Sequence, residues 1–256
     1  MKKITVLLLL VVLASPYSPV SIAAQLDSSG GKIKSENNAP GRTPQETISQ
    51  DLPLKVLATP IESSLPMFVY ISGDGGWNSF NASFCQYLTQ KGIPVVALDS
   101  KKYFWKSRTP DETPRDLIAV IEKYAKLWKR DRFVLAGYSF GSAIVPFVLN
   151  RLPVGIKERL AASALISPDK TSDFEIHLSD MLNLGISKGK YNVLMEIQAG
   201  DYQKYVAVFG SDESAETQQA FKQAGAKIEV LQGNHHFDSA YEALADLIIA
   251  EIKKEK

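Results

Sequence analysis

The sequence is poor in cysteine and histidine and has no excess of charge of either sign. Its 256 residues include one cysteine and three histidines, and the formal net charge is +1. The single Cys85 excludes an internal disulfide, and its apolar surroundings predict a small, buried hydrophobic side chain. The near-zero net charge argues against a protein that binds nucleic acid through bulk positive charge.

Long hydrophobic runs are also absent, except for one stretch at the N-terminus. Two lysines precede an apolar run from Ile4 to Leu13, which is shorter than the roughly 20 residues that a membrane-spanning helix needs. Small residues follow as far as Ala23 and Ala24. This pattern predicts a secretory signal peptide over residues 1–24, and therefore an exported protein. The alternative is an N-terminal anchor that is retained.

Large apolar residues are scarce again in residues 25–51, which are rich in Ser, Gly, Asn, Pro, Lys and Glu. Such a segment cannot bury enough surface to offset the entropy lost on ordering, so we predict a flexible linker. Residues 52–256 contain no internal repeat. Their length and apolar content suit a single α/β domain.

Six short runs within this domain are rich in apolar residues, and all but the last lack alternation with polar residues, which is typical of strands buried on both faces. They are residues 67–71, 93–98, 133–136, 162–166, 205–209 and 227–231. Segments with helical periodicity lie between them, at residues 82–91, 114–128, 213–224 and 239–253. Alternating strands and helices predict a parallel α/β sheet with helices on both faces. Ligands bind beyond the carboxyl ends of such strands.

The run at residues 133–136 leads into Gly137-Tyr138-Ser139-Phe140-Gly141, and a helical pattern follows. This is a G-x-S-x-G sequence in a strand–turn–helix context, in which a sharp turn exposes a serine hydroxyl. The glycines leave room where a Cβ would collide. The helix N-terminus can stabilise negative charge. We therefore predict that Ser139 is a nucleophile.

A serine nucleophile needs a base, and the three histidines are the candidates. His235 and His236 follow the last predicted strand, whereas His177 lies in an apolar stretch. A base on this kind of scaffold is usually followed two positions later by an apolar residue, and Phe237 gives His235 that spacing. We favour His235 and keep His236 open. No cysteine, third histidine or carboxylate cluster completes a metal site, and we predict neither metal nor cofactor.

The residue that orients the base is expected after the preceding strand, where two adjacent carboxylates, Asp212 and Glu213, are found. Enzymes with this motif use either residue type. The spacing from Gly210 favours Glu213, whereas aspartate is the more usual acid, so both stay open. With either acid, the order along the chain is serine, acid, histidine, as the G-x-S-x-G scaffold requires.

An oxyanion hole requires two preorganised N–H donors. One is predicted to be Phe140, directly after the nucleophile. The second is predicted in the glycine-rich loop Ser72–Trp77, at Asp74 or Gly75, since glycines let a backbone approach a ligand closely. This loop lacks the Lys and Ser/Thr of a Walker motif and does not match the dinucleotide-binding pattern.

The loop after the strand at residues 93–98 combines three consecutive aromatic residues with several cations. Arg108 or a lysine in this loop would suit a phosphate, and the aromatic residues, including Tyr103 and Trp105, would suit a lipid interface. We expect Tyr103, Trp105 and Arg108 to contact substrate. The alternative is that the aromatic rings pack on the edge of the sheet and the cations are solvated.

Several of these motifs together resemble the VirJ/AcvB family of bacterial virulence proteins. The segments that carry the resemblance are Ser-Gly-Asp-Gly-Gly-Trp (72–77), Asp-Ser-x-x-Tyr-Phe-Trp (99–105), Arg-Thr-Pro (108–110), Gly-Tyr-Ser-Phe-Gly (137–141), Phe-Glu-Ile-His (174–177) and Gly-x-His-His-Phe-Asp (233–238). The resemblance spans roughly residues 52–254. It implies an α/β-hydrolase fold and a periplasmic location, with links to virulence and type IV secretion.

The resemblance further implies a serine esterase that removes the aminoacyl group from lysyl- or alanyl-phosphatidylglycerol. Its implied partners are this lipid, the membrane surface that carries it and proteins of a secretion system. Carboxylates such as Asp74 or Glu175 would then meet the substrate ammonium. The alternatives are a binding protein on a hydrolase scaffold, which would not need the triad, and a peptidase or thioesterase, which would share it.

Overall fold

A seven-stranded sheet lies at the centre of the part of the chain that the structure describes. The computed structural model describes residues 52–176, 189–202 and 204–254. The predicted signal peptide, the predicted linker and His177 lie outside these ranges. The strands of the central sheet are β1 (Leu54–Leu57), β2 (Met67–Ile71), β3 (Val95–Leu98), β4 (Phe133–Tyr138), β5 (Leu160–Ile166), β8 (Tyr205–Gly210) and β9 (Lys227–Leu231). Two short strands, β6 (Thr171–Ser172) and β7 (Tyr191–Asn192), pair separately.

The order of the strands across the central sheet is β1-β3-β2-β4-β5-β8-β9. Strand β1 pairs antiparallel with β3, and every other pair in this sheet is parallel. Strand β4 therefore lies in the middle, with β2 on one side and β5 on the other. Because β2, β4, β5, β8 and β9 are parallel, the loops that follow them meet at one edge of the sheet.

Helices cover both faces of the sheet. They are α1 (Ser79–Gln90), α2 (Ser100–Tyr103), α3 (Glu112–Trp128), α4 (Phe140–Asn150), α5 (Val154–Lys157), α6 (Val193–Ala199), α7 (Ala215–Gln223) and α8 (Tyr241–Lys254). One apolar cluster joins the sheet to α3, α4, α6 and α7, and a second cluster joins it to α1 and α8. None of the described helices is both long and apolar enough to cross a membrane.

The burial of the central strands explains their sequence pattern. Every residue of β2, β3 and β4 is buried, because side chains on each face pack against a layer of helices. Alternation is lost when both faces are apolar. The two edge strands, β1 and β9, are only partly buried. The prediction of a mostly parallel sheet with helices on both faces is thus confirmed.

Candidate active site

The turn between β4 and α4 places Ser139 in a strained conformation at the edge of the sheet. Its backbone has φ 51° and ψ −121°, and helix α4 begins at the next residue. A Cβ at Gly141 would lie 2.2 Å from the carbonyl oxygen of Ile71, and a Cβ at Gly137 would lie 2.3 Å from that of Gly141. Glycine is therefore required at Gly137 for the turn to close and at Gly141 for the turn to pack against β2.

The structure brings Ser139, His235 and Glu213 into one hydrogen-bonded series. The Ser139 Oγ lies 2.9 Å from His235 Nε2, and His235 Nδ1 lies 2.8 Å from Glu213 Oε1. In the neutral imidazole, Nδ1–H donates to the carboxylate and Nε2 accepts from the serine hydroxyl. This is the arrangement that allows a histidine to take a proton from serine.

The second oxygen of the Glu213 carboxylate is also held. Its Oε2 accepts hydrogen bonds from the Gly210 N–H at 2.7 Å and from the Ser167 hydroxyl at 2.9 Å. Burial alone would raise the pKa of the Glu213 carboxyl. The hydrogen bonds from His235, Gly210 and Ser167 outweigh burial and hold this pKa below its ordinary value. The carboxylate is therefore charged at neutral pH and fixed in orientation.

Asp212, the other candidate acid, does not contact His235. Its side chain is exposed, and its Oδ1 accepts a hydrogen bond from the Ser211 hydroxyl at 3.0 Å. The turn after β8 bonds the Glu213 N–H to the Gly210 carbonyl, and the Glu213 side chain folds back towards the base. Of the two alternatives, the structure therefore places only Glu213 beside the histidine.

His236 lies beside Tyr138, not beside the nucleophile. Its Nδ1 contacts the Tyr138 hydroxyl, and its backbone N–H donates to Asn234 Oδ1 at 2.7 Å. The rings of His235 and His236 meet edge to face, with their centroids 5.5 Å apart. Of the two histidines left open by the sequence, His235 is the one that reaches Ser139.

Negative charge surrounds the candidate base. Burial alone would lower the pKa of His235. The hydrogen bond and charge of Glu213 outweigh burial, and the charges of Asp169 and Asp74 act in the same direction, so the pKa is raised. Burial raises the pKa of Asp169, and the charges of Asp74 and Glu213 also favour its protonated form. These carboxylates are therefore close enough to the base to influence its protonation.

The glycine-rich loop after β2 passes directly beside the nucleophile. A Cβ at Gly73 would lie 3.5 Å from Ser139 Cβ. The Gly75 N–H already donates to Asp74 Oδ1 at 2.8 Å, so the Asp74 N–H is the better second donor for an oxyanion. The other predicted donor, Phe140, is the first residue of α4, where backbone N–H groups have no partner within the helix.

Hydroxyl groups join this loop to the next one. The Ser100 N–H donates to the Ser72 hydroxyl at 3.0 Å, and the Ser100 hydroxyl donates to the Ser72 carbonyl at 2.6 Å. Both serines are fully buried. At Gly76, where φ is +71°, a Cβ would lie 2.7 Å from Asp99 Oδ1. The loop after β2 is therefore fixed by its contacts with the chain after β3.

We expected the aromatic residues after β3 to contact substrate, but not all of them are exposed. Tyr103 is buried, and its hydroxyl donates to Asp116 Oδ2 at 2.6 Å, so the prediction that Tyr103 contacts substrate is not supported. The short helix α2 turns this side chain inwards. Trp105 is 51% exposed. Arg108 lies over the Tyr103 ring, with its Cζ 4.6 Å from the centroid.

Three further residues near the triad were not identified from the sequence. Ser167 and Asp169 follow β5, and Tyr138 precedes the nucleophile. Ligands bind beyond the carboxyl ends of parallel strands, so site residues could have been expected in the loop after β5 even without a recognisable motif. In the described ranges, no three His, Cys, Asp or Glu side chains form a group that could hold a metal ion.

Comparisons with known proteins agree with this fold. A family model described as "Bacterial virulence protein (VirJ)" matches residues 66–256. Among solved structures, Est1E from Butyrivibrio proteoclasticus is 14% identical, with a TM-score of 0.55, over 78% of this chain and 94% of that chain. MenH from S. aureus is 12% identical, with a TM-score of 0.57, over 79% and 98%. The Pyrococcus furiosus esterase Pf2001 is 14% identical, with a TM-score of 0.54, over 84% and 96%.

These similarities show that the chain has an α/β-hydrolase fold. At such low identity they show the fold alone. Among curated proteins, no sequence matches this chain. Any statement about its reaction therefore depends on the residues at the edge of the sheet.

Proposed function

Because the chain belongs to the VirJ family of bacterial virulence proteins, we propose that it is a periplasmic serine esterase acting on aminoacylated phospholipids. The observation that carries this proposal is the continuous series of hydrogen bonds from Ser139 through His235 to Glu213. A binding protein on the same scaffold would have no need for a serine, a histidine and a carboxylate aligned in this way.

The proposed reaction proceeds in two steps through an acyl-enzyme. The Ser139 hydroxyl attacks the ester carbonyl while His235 takes its proton, and Glu213 stabilises the imidazolium that forms. The N–H groups of Phe140 and Asp74 hold the oxyanion. The imidazolium then protonates the departing alcohol. Water, activated by the same histidine, releases the amino acid from Ser139.

The negative charge around the base supports an aminoacyl ester as substrate. In such an ester the ammonium is attached to the carbon next to the carbonyl that is attacked. A cation at that position would approach the carboxylates of Asp74 and Asp169, which both raise the pKa of His235. An acyl group with a negative charge there would be repelled. Glu175, the other carboxylate we considered for this role, is half-buried.

The chain after β3 supplies groups suited to the rest of an anionic lipid. The Arg108 guanidinium lies on the Tyr103 ring, and within the described ranges its buried Nε has no hydrogen-bond partner. Arginine binds phosphate through several N–H groups at once. The exposed indole of Trp105 is suited to an interface between water and lipid. We propose that both residues contact the lipid or the membrane surface that carries it.

The cellular setting of this proposal depends on residues outside the described ranges. A signal peptide over residues 1–24 would export the protein to the periplasm, and the linker over residues 25–51 would separate the domain from the point of cleavage. Contacts with proteins of a secretion system would then be made on the periplasmic side of the inner membrane.

The proposal is tested with purified protein and vesicles that contain lysyl- or alanyl-phosphatidylglycerol. We expect the wild-type protein to release free amino acid, measured by mass spectrometry, and Ser139→Ala to release none. Arg108→Ala should lower the rate, whereas Arg115→Ala, which removes an exposed cation from α3, should not. Unchanged rates in Arg108→Ala would contradict the phosphate contact.

The same experiment separates the other functions. A wild-type protein that hydrolyses soluble peptides or thioesters but not the lipid would be a peptidase or thioesterase with the same triad. A folded wild-type protein that hydrolyses nothing and does not react with a serine-directed probe would be a binding protein on a hydrolase scaffold.

A further inference from the structure

Two hydroxyl groups lie within hydrogen-bonding distance of the carbonyl oxygen of His235, one at the end of β4 and the other directly after β5. The Tyr138 hydroxyl lies 3.2 Å from it, and the Ser167 hydroxyl lies 3.3 Å from it. Among the backbone N–H groups of this loop, that of Phe237 donates to the Asn234 carbonyl and that of Ser239 to the His236 carbonyl, whereas that of His236 donates to Asn234 Oδ1. The main chain that carries the candidate base is therefore held at its carbonyl by side chains.

Only one of these hydroxyls has its hydrogen available for that carbonyl. Each hydroxyl carries a single hydrogen. The Ser167 hydroxyl lies 2.9 Å from Glu213 Oε2, which is nearer than the His235 carbonyl and is charged. A charged acceptor forms the stronger hydrogen bond. Ser167 therefore donates to Glu213, and the His235 carbonyl depends on Tyr138.

Tyr138 meets a second group as well, the Nδ1 of His236. The tyrosine hydrogen cannot serve both the His235 carbonyl and this nitrogen. Both contacts are hydrogen bonds when His236 carries its proton on Nδ1, because Nδ1–H then donates to the phenol oxygen and the phenol hydrogen goes to the His235 carbonyl. Burial, with the charges of Glu213 and Asp74, raises the pKa of Tyr138. The phenol therefore keeps its hydrogen at neutral pH.

The Tyr138 ring is fixed by its surroundings. It is buried, its centroid lies 5.0 Å from that of Phe80, and a Cβ at Gly73 would lie 3.2 Å from its Cδ1. It is also the last residue of β4 and the neighbour of the nucleophile in the chain. A rigid residue of this kind links the position of Ser139 to that of the loop bearing His235.

We propose that Tyr138 is a positioning residue, which holds the His235 main chain through its hydroxyl, and that His236 orients that hydroxyl. His236, the second histidine of the pair, thereby has a role of its own. The inference rests on the proposed function of the triad. Because the ring contacts do not involve the hydroxyl, Tyr138→Phe should preserve the packing and lose only the hydrogen bonds.

The test measures labelling by a fluorophosphonate probe, resolved into the maximal rate constant for inactivation and the probe concentration at half that rate. Loss of a neutral hydrogen bond corresponds to a decrease between about 2-fold and about 10-fold. We expect Tyr138→Phe to lower the maximal rate constant by this factor, with the half-saturating concentration unchanged and the melting temperature lowered by only about 2–4 °C. Tyr87→Phe, which removes an exposed hydroxyl that donates to Asp246, is the matched control and should behave as wild type.

Variants of His236 separate positioning from a general effect on folding. His236→Ala should cause a loss no larger than that of Tyr138→Phe, because the phenol hydrogen is still present but is no longer oriented. The double variant should be no slower than Tyr138→Phe alone. His236→Asn, whose amide lies near the position of Nδ1, should recover most of the rate. If Tyr138→Phe does not fold, the rates of His236→Ala and His236→Asn still show whether a group at the position of Nδ1 restores labelling.

Two results would overturn the inference while leaving the proposed function intact. One is a Tyr138→Phe protein that is labelled at the wild-type maximal rate, and the other is losses in Tyr138→Phe and His236→Ala that multiply in the double variant. A folded wild-type protein that is not labelled at all would instead overturn the proposed function, and this inference with it.

Discussion

Replacing Glu213 by glutamine tests the role of the carboxylate with little change in shape. Three donors converge on this group in the structure: His235 Nδ1–H at 2.8 Å, the Gly210 N–H at 2.7 Å and the Ser167 hydroxyl at 2.9 Å. Glutamine offers one oxygen and one NH₂ group. The Ser167 hydroxyl can rotate and accept from NH₂, but the Gly210 N–H cannot. The amide oxygen will therefore face Gly210, and NH₂ will face His235.

This orientation determines the size of the effect. An NH₂ group beside Nδ1 favours the imidazole tautomer with its proton on Nε2, which cannot accept the proton of Ser139. The stabilisation of the imidazolium by a charged hydrogen bond, about 1.5–3 kcal/mol, is also lost. Where the same change has been made in a serine-protease triad, the rate falls about 10⁴-fold. We expect a decrease of about 10³- to 10⁴-fold for Glu213→Gln.

The assay is the second-order rate constant for labelling by a fluorophosphonate probe. Asp212→Asn is the matched control, because it neutralises the adjacent carboxylate, which is exposed and does not contact His235. We expect this variant to react as fast as wild type. A Glu213→Gln protein within 10-fold of wild type, or an Asp212→Asn protein as slow as Glu213→Gln, would contradict the role of Glu213 as the residue that orients the base.

Asp169→Asn should lower the pH at which labelling reaches half its maximum. The base works when neutral, and removing a nearby negative charge lowers the raised pKa of His235; an unchanged midpoint in the pH profile would contradict this. Gly141→Ala should lower the free energy of unfolding by about 3 kcal/mol or more, since its Cβ would lie 2.2 Å from a carbonyl oxygen of β2. Gly155→Ala, with no atom within 4 Å, should leave the melting temperature unchanged or raise it. Trp105→Ala should slow hydrolysis of a lipid in vesicles several-fold without slowing hydrolysis of a soluble ester, and equal losses on both would argue against a membrane contact.

The strands and main helices were predictable because burial on both faces leaves a clear pattern. The run at residues 67–71 coincides with β2 and the run at residues 205–209 lies within β8, and both strands are fully buried. Strand β1 was not predicted, since Leu54–Leu57 is a short, partly buried edge strand whose sequence differs little from that of a loop. Helix α2, with four residues, is too short to show a helical period.

The triad was predictable in part. Ser139 and the loops that hold the other two residues follow from the strand–turn–helix motif and the order along the chain. The choice between Asp212 and Glu213 depends on which side chain the turn after β8 directs towards His235. In the sequence, the spacing from Gly210 favoured Glu213 and the more usual residue type favoured Asp212, so both stayed open. The structure resolves the choice through the Glu213 N–H, which bonds to the Gly210 carbonyl.

The outer parts of the site were the least predictable. Three adjacent aromatic residues indicated a surface for substrate, yet α2 rotates Tyr103 into the core, where its hydroxyl meets Asp116. Ser167 reaches Glu213 from a backbone with φ 47° at the end of β5. Neither outcome is encoded in a local pattern, because each depends on how one strand end lies against its neighbour.

The role of Ser139 as the nucleophile is tested most directly by locating the residue that reacts with a fluorophosphonate probe. Wild-type protein and Ser139→Ala, both shown to be folded by circular dichroism, are treated at neutral pH and digested, and the modified residue is located by mass spectrometry. We expect a single adduct on Ser139 in the wild-type protein and none in Ser139→Ala. A folded wild-type protein without an adduct, or an adduct that persists in Ser139→Ala, would contradict it.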